Sequence, residues 1–391
     1  MPIAKNMVRL VEEFDTIKNM FEEGALLKIE HGKERVFDFS LGNSDIPPPH
    51  KFNVVLKELV SKGNLNHGYM SNQGYLHVRN AVADNFNKIH GTHLTANYII
   101  MTVGAVGALN NALRTLINPG EEILTPSPYF IGYSQYAFSA NATLKTVASN
   151  KHFHLDFDAI KQAITDKTRV LLINSPNNPT GVIYTKEELD QLGYILELAS
   201  RKYGKRIYLL SDEPYRKIVY GVAVPSVFQS YPHSLIANSY SKNLSLAGER
   251  IGYLAVNPEA EDADIILAAA TTVNTMLYIN APSLAQLAIA EVQDITVDVF
   301  RYRRRRDMLC TGLADAGYEF NIPEGAFYLF PKSPLEDEMA FVRILKEELI
   351  LVAPGRGFGM PGYFRISYAV PSTVISGSMT GFKRALEKVA G

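Results

Sequence analysis

The chain has 391 residues, 47% of them hydrophobic and 20% charged, with a formal net charge of −1. That length allows two domains with sizeable cores, and the near-zero charge leaves no global field to recruit nucleic acid or an anionic membrane. A single cysteine, Cys310, excludes an intramolecular disulfide and a cysteine-based metal cluster, and it agrees with a reducing compartment. No run approaches ~18 uncharged apolar residues, so no membrane span is expected. The mixed-charge start, Met1 to Glu30, lacks the apolar core of a signal peptide, and a soluble cytoplasmic protein is the expectation.

In chain order, the predicted elements begin with a helix over Met7 to Lys28 and an extended segment from Val36 to Leu41. Gly42 and Pro47, Pro48 and Pro49 break that segment into a loop. Helical periodicity returns over Leu76 to Ile89 and over Ala105 to Ile117. Short apolar runs of strand length follow: Glu122 to Thr125 ending at Pro126, Thr143 to Val147, Arg169 to Asn174, Arg206 to Ser211, Ser234 to Ser239, and Ile251 to Val256. Helical patterns separate several of them, as over Lys186 to Tyr203, and such alternation predicts a mostly parallel sheet with helices on both faces. From about Ala281 the alternation lapses. A helix-like stretch from Asp294 to Leu313 carries the one dense basic run, Arg303 to Arg306, read as a solvated helix start. A helix over Glu338 to Glu348 and strands over Ile350 to Val352 and Tyr363 to Tyr368 complete a smaller α+β unit.

Polar motifs sit where the strands end, the place where open α/β sheets bind ligands. Thr102-Val103-Gly104-Ala105-Val106 precedes a helix, so its backbone amides can face an anion, although the glycine spacing is neither that of a Walker loop nor the dinucleotide fingerprint. Pro126-Ser127-Pro128-Tyr129-Phe130 ends the next strand and supplies an aromatic ring, for stacking on a flat heterocycle or for core packing. Asn174-Ser175-Pro176-Asn177-Asn178-Pro179-Thr180-Gly181 is a turn cluster in which Asn178 offers an amide to a ligand oxygen. Asp212, in Asp212-Glu213-Pro214-Tyr215, emerges from a buried strand either to cap a helix or to face a pyridinium nitrogen. Tyr215 can then hydrogen-bond the ring's oxygen.

Lys242 follows the run Ser234 to Asn238, within Ser239-Tyr240-Ser241-Lys242 and eight residues before Arg250. A buried ammonium is costly unless it is paired or deprotonated, and a lysine with a lowered pKa forms Schiff bases. If the carbonyl partner is pyridoxal phosphate, Ser239, Ser241 and Arg250 would hold its phosphate. Arg365, inside the apolar strand Tyr363 to Tyr368, suits either bidentate capture of a carboxylate or a structural ion pair.

Taken together and in order, these segments resemble the class I/II aminotransferases, the aspartate-aminotransferase-like branch of fold type I pyridoxal-phosphate enzymes. The resemblance implies a large cofactor-binding domain over residues 46–284 and a small domain formed by 1–45 and 285–391. It assigns Lys242 to the Schiff base, Asp212 to the pyridine nitrogen and Tyr215 to the ring oxygen. Asn178 matches the family's Asn-Pro-Thr-Gly asparagine, and Arg365 the arginine for the substrate α-carboxylate. Ser239, Arg250 and the amides of Ala105 and Val106 match the phosphate cradle, and Phe130 the stacking aromatic, with Tyr129 as its nearest competitor.

Leu41-Gly42-Asn43 resembles the loop that touches substrate. His67-Gly68-Tyr69 resembles the segment whose Tyr69 reaches the phosphate of the neighbouring subunit, which implies a homodimer with shared sites. The implied reaction moves an amino group from an L-amino acid to a 2-oxo acid. The alternative on the same fold is a C–S β-lyase of the cystathionine β-lyase type. Dicarboxylate-specific relatives often supply a second arginine, and the candidate stretch Thr271 to Tyr278 has no basic residue.

Overall fold

The computed structural model describes residues 3, 7–8, 23–63, 65 and 67–390. The helix expected over Met7 to Lys28 lies largely outside these residues; its described end, within 23–31, is helical. The strands up to the middle of the chain are β1 (Phe37–Asp38), β2 (Ile99–Thr102), β3 (Glu122–Ser127), β4 (Thr143–Ala148), β5 (Thr168–Asn174) and β6 (Tyr208–Asp212). They are followed by β7 (Ser234–Ser239), β8 (Gly252–Val256), β9 (Tyr328–Leu329), β10 (Ile350–Leu351), β11 (Ala353–Pro354) and β12 (Phe364–Ser367).

Seven strands form one sheet in the order β2-β8-β7-β6-β5-β3-β4. All its pairings are parallel except the two made by β8, which runs against β2 and β7. Alternate residues of the central strands face opposite layers. Leu171, Ile173, Leu209, Ile236 and Ala255 enter one core, whereas Leu172, Leu210, Leu235, Ala237 and Leu254 enter the other. Burial on both faces explains why β5, β6 and β7 read as near-continuous apolar runs. β4 is an edge strand, largely exposed, and its Thr and Lys residues mark it as such. β3 does not stop at Pro126 but continues to Ser127 against β4. Its ladder with β5 ends at Leu124, so the missing N–H of Pro126 falls where that pairing is already over.

A second, smaller unit has its own core, with Phe327, Phe341, Phe364, Tyr368 and Phe382 buried together. It holds the antiparallel sheet β11-β12-β9 and the parallel pair β1-β10. Phe39, just past β1, enters this core with its ring centroid 6.0 Å from that of Phe382, so the segment before Gly42 packs on the far end of the chain. The structure is thus mixed α/β, a large mostly parallel sheet flanked by helices with a smaller α+β unit beside it. Among the described residues no helix is long and apolar enough to cross a membrane.

The helix expected from Asp294 begins only at Val299, where the Asp298 carboxylate accepts from the Phe300 N–H. Half of its arginine run is not solvated. Arg305 makes a two-pronged ion pair with Asp45 at 2.6 and 2.7 Å, and Arg306 donates to the Pro323 carbonyl and lies over the Tyr220 ring. Arg303 and Arg304 remain exposed. Phe382→Ala should cost about 3–5 kcal/mol in denaturant unfolding, because the cavity opens between the helix Ser372–Ala390, Phe39 and Tyr318. A loss under about 1 kcal/mol would mean that the N-terminal segment is not anchored there.

Candidate active site

Parallel register brings the polar strand ends together. Asn174 at the end of β5 pairs with Asp212 at the end of β6, and Asp212 with Ala237 of β7, two residues before Ser239. The Asn174 side chain stitches the two turns: its amide donates to the Asp212 carbonyl (2.8 Å), and its oxygen accepts from the Asn178 N–H (2.6 Å). These turns open onto a cavity of about 610 Å³ between the large sheet and the smaller unit. Asp212, Tyr215, Asn178, Lys242, Phe130 and Arg365 all line it, as do Gly42, Ser239, Arg250, Ala105 and Val106.

Asp212 is fully buried, and no helix follows it, so helix capping is not its use. Oδ2 accepts from the Tyr133 hydroxyl at 2.8 Å; Oδ1 is buried with no hydrogen-bond partner among the described residues. Burial drives its pKa up to about 7, with Tyr133 opposing the rise and the neighbouring Glu213 adding to it. Glu213 in turn is paired with buried Arg216 at 2.9 Å.

Lys242 donates to the Gly42 carbonyl at 2.7 Å. Burial lowers its pKa to about 8, and the positive charges of Arg365 and Arg250 contribute to the shift. Gly42 is required at its position, since an added Cβ would sit 2.0 Å from the Tyr328 hydroxyl oxygen. Arg365 is buried, donating to the Asn178 side-chain oxygen (3.0 Å) and to the Ser40 carbonyl (2.7 Å). Its guanidinium lies between the Tyr328 and Phe358 rings, 4.6 and 4.7 Å from their centroids, and its Nε is buried without a partner.

The other end of the cavity is built for an anion. Ala105 and Val106 stand in the first turn of the helix Gly104–Leu116, whose free N–H groups and dipole favour negative charge. Arg250, held in the left-handed region at φ 51 and donating to the Ala247 carbonyl, closes over that turn. A Cβ on Gly104 would lie 3.1 Å from its Nη2, so the glycine permits the approach. Of the two aromatic candidates, Phe130 lines the cavity. Tyr129 instead donates its N–H to the Phe358 carbonyl and lies where a Cβ on Gly359 would meet its ring. Tyr69 is 87% exposed and does not line the cavity.

Sequence reading missed three contributors. Tyr133 sits three residues beyond Phe130, a spacing that puts both on one side of a helical turn, and that was its only signal. Tyr328 reads as one more aromatic in a strand, and nothing local marks its hydroxyl, which lies 2.8 Å from that of Tyr215. Arg356 lines the wall but is held by Glu338 and Asp337, each at 2.7 Å.

Residues 34–375 match the family described as aminotransferase class I and II, and the chain belongs to that family. It is 32% identical over 347 residues to a probable aspartate aminotransferase of Methanocaldococcus jannaschii, covering 85% of this chain and 88% of that one. It is 30% identical over 383 residues to aromatic-amino-acid aminotransferase 2 of Thermococcus litoralis, with 95% and 96% covered. The crystal structure of an amino transferase from Eubacterium rectale superposes with a TM-score of 0.95 at 40% identity, covering 99% of both chains. The chain is an aminotransferase.

The charge on Asp212 gives a stability signature. Its pKa is near 7 folded and 3.8 unfolded, so the folded state holds the extra proton between those values and stability falls as pH rises through that window. In ligand-free protein, Asp212→Asn should therefore gain on the parent by up to about 4 kcal/mol between pH 4 and pH 7 in urea unfolding. A pH-independent difference between the two would show that Asp212 ionises as freely as a surface carboxylate.

Proposed function

We propose that this aminotransferase uses pyridoxal 5'-phosphate held covalently by Lys242, and moves the amino group of an L-amino acid to a 2-oxo acid. The observation that carries the reading is the half-satisfied Asp212: a buried carboxylate whose Oδ1 lacks a donor, in one cavity with a buried amine and an anion cradle. A protonated pyridine nitrogen supplies the missing donor, a phosphate suits the first turn of the helix Gly104–Leu116 with Arg250 and Ser239, and an aldehyde suits Lys242. The residues present therefore fit the group.

Bound there, pyridoxal phosphate supplies an electrophilic carbon and a protonated ring that withdraws electrons from the amino acid's Cα. The chain's own residues do the rest. Asp212 would hold the ring nitrogen protonated, and the Tyr133 hydrogen bond favours the ionised form of Asp212. Phe130 would stack on the ring, and Tyr215 would donate to its oxygen. Arg365 and Asn178 take the substrate's α-carboxylate, which fixes the direction of the Cα–H bond. Lys242 Nζ, once free, would take the proton from Cα and deliver it to the carbon that had carried the aldehyde, a role its lowered pKa suits. The Gly42 carbonyl, 2.7 Å from Nζ, steers the amine.

The donor's side chain would lie along Leu41, Ile131 and Phe358. An acidic side chain there competes with Glu338 and Asp337 for Arg356, so a neutral one fits that wall better. Tyr69 fits the role the resemblance gives it, completing the neighbouring site of a homodimer, because its ring is exposed close to the exposed Met276 and Tyr278 region. Asn274 and Asn280 tie that region to the 71–72 backbone.

Borohydride reduction of the purified enzyme should fix the cofactor on the peptide containing Lys242, read by mass, and a label on any other lysine would overturn the assignment. Lys242→Ala should lower amino transfer by about 10²–10⁴-fold. In a panel of donors against 2-oxoglutarate, pyruvate and oxaloacetate, phenylalanine and leucine should outperform aspartate in kcat/KM. Release of pyruvate, ammonia and a thiol from cystathionine, with no 2-oxo acid acceptor present, would point to β-lyase chemistry instead.

A further inference from the structure

Tyr328 touches Arg365, Tyr215 and Gly42, three of the residues around the cavity. It opens β9, is 2% exposed, and belongs to the smaller unit. Its hydroxyl lies 2.8 Å from that of Tyr215, which stands in the turn after β6 and lines the cavity. Its ring carries the Arg365 guanidinium, 4.6 Å from the centroid. Its hydroxyl also abuts Gly42, whose carbonyl accepts from Lys242.

We propose that Tyr328 is a positioning residue with two separable tasks: its ring holds Arg365 for the α-carboxylate, and its hydroxyl sustains Tyr215 as donor to the cofactor's ring oxygen. The inference rests on the pyridoxal-phosphate reading. Its ring task follows from desolvation. Among the described residues, Arg365 has one side-chain acceptor, Asn178, and one backbone acceptor, Ser40, with no carboxylate bonded to it. Two aromatic faces hold the buried cation in plane while leaving Nε free for an incoming carboxylate.

The hydroxyl task follows from proton order. Among the described residues the Tyr328 hydroxyl has one hydrogen-bond partner, Tyr215. When Tyr328 donates, the Tyr215 proton is left for an acceptor in the cavity, and a phenol that accepts a hydrogen bond donates more strongly. In the opposite order the Tyr215 proton would be spent on Tyr328. An acceptor beside Tyr215 therefore selects the first arrangement.

Two variants in the cofactor-loaded enzyme separate the tasks. Tyr328→Phe keeps the ring and removes the hydroxyl. It should move the pH midpoint of the bound cofactor's visible absorbance up by about half a unit, and lower kcat by roughly three- to tenfold. The dissociation constants of two unreactive carboxylates, succinate and 3-phenylpropanoate, should stay within about twofold of the parent. Tyr328→Leu removes both, and should weaken both carboxylates by roughly five- to thirtyfold.

A Tyr328→Phe enzyme with the parent's midpoint and kcat would overturn the hydroxyl task. One that loses carboxylate affinity as fully as Tyr328→Leu would reduce Tyr328 to a packing residue. If the leucine variant does not fold, the phenylalanine variant still decides the hydroxyl task, and its unchanged carboxylate binding decides whether the ring suffices. A parent enzyme that gains no visible absorbance with pyridoxal phosphate would bring down the cofactor reading, and this inference with it.

Discussion

A carboxylate held at the end of a central strand, away from water, is the constraint around which the site is arranged. Burying an ion is costly unless its oxygens are satisfied. Asp212 has only one of its two satisfied, by Tyr133, and Glu213 beside it makes ionisation harder still. Arg216 answers Glu213 rather than Asp212. The remaining deficit points into the cavity, where a cationic ring donor would relieve it. A fold selected for stability alone would place an apolar residue here, as β6 does at Leu209 and Leu210.

The second constraint is that the site lies where the large sheet meets the smaller unit, so its geometry depends on what joins them. Lys242 meets Gly42, Asn178 meets Arg365, and Tyr215 meets Tyr328, each pair with one member from the large sheet and one from the smaller unit or the segment leading out of it. Away from the cavity the same seam is closed by Ser127 donating to the Gly359 carbonyl at 2.6 Å and by Tyr129 donating to that of Phe358. Arg305 pins the 40–46 loop through Asp45, and Tyr302 meets Ser44 at 2.5 Å. The contacts at the cavity are few and polar, and so sensitive to single atoms. Those of the flanking seam are redundant.

What the sequence disclosed follows from how far each determinant reaches along the chain. The helix Lys186–Tyr203 was legible to the residue because its signals are local: Thr185 and Glu188 cap each other reciprocally, and Gly204 adopts the left-handed conformation that ends it. Six of the large sheet's seven strands were legible as short runs, the central ones because burial on both faces leaves them apolar; β2, four residues long, was not expected as a strand. Asp212, Asn178 and Lys242, singled out in strand-end motifs, line one cavity, since parallel strands deliver their carboxyl ends to one edge. Tyr133, Tyr328 and the pairing of Arg305 with Asp45 were not legible. Each depends on a partner between 79 and 260 residues away, and nothing in the local pattern separates a structural hydroxyl or guanidinium from a solvated one.

Charge ties the two constraints together. The cavity carries Arg250, Arg365 and the Lys242 amine against a single carboxylate, Asp212; Arg356 also lines it but is answered by Glu338 and Asp337. With Lys242 near 8 and Asp212 near 7, both groups titrate close to neutrality. The protein alone therefore has a surplus of positive charge at both ends of the cavity and a reluctant negative one at its base. A ligand set that restores balance has an anion at the helix Gly104–Leu116, a second anion at Arg365 and a cation at Asp212. A phosphate, a substrate carboxylate and a protonated ring nitrogen answer those three demands. Binding them also lessens the repulsion from Arg250 and Arg365 that, with burial, lowers the Lys242 pKa. A bound phosphate and carboxylate would therefore raise the affinity of the freed amine for a proton at the stage when it must take one from Cα.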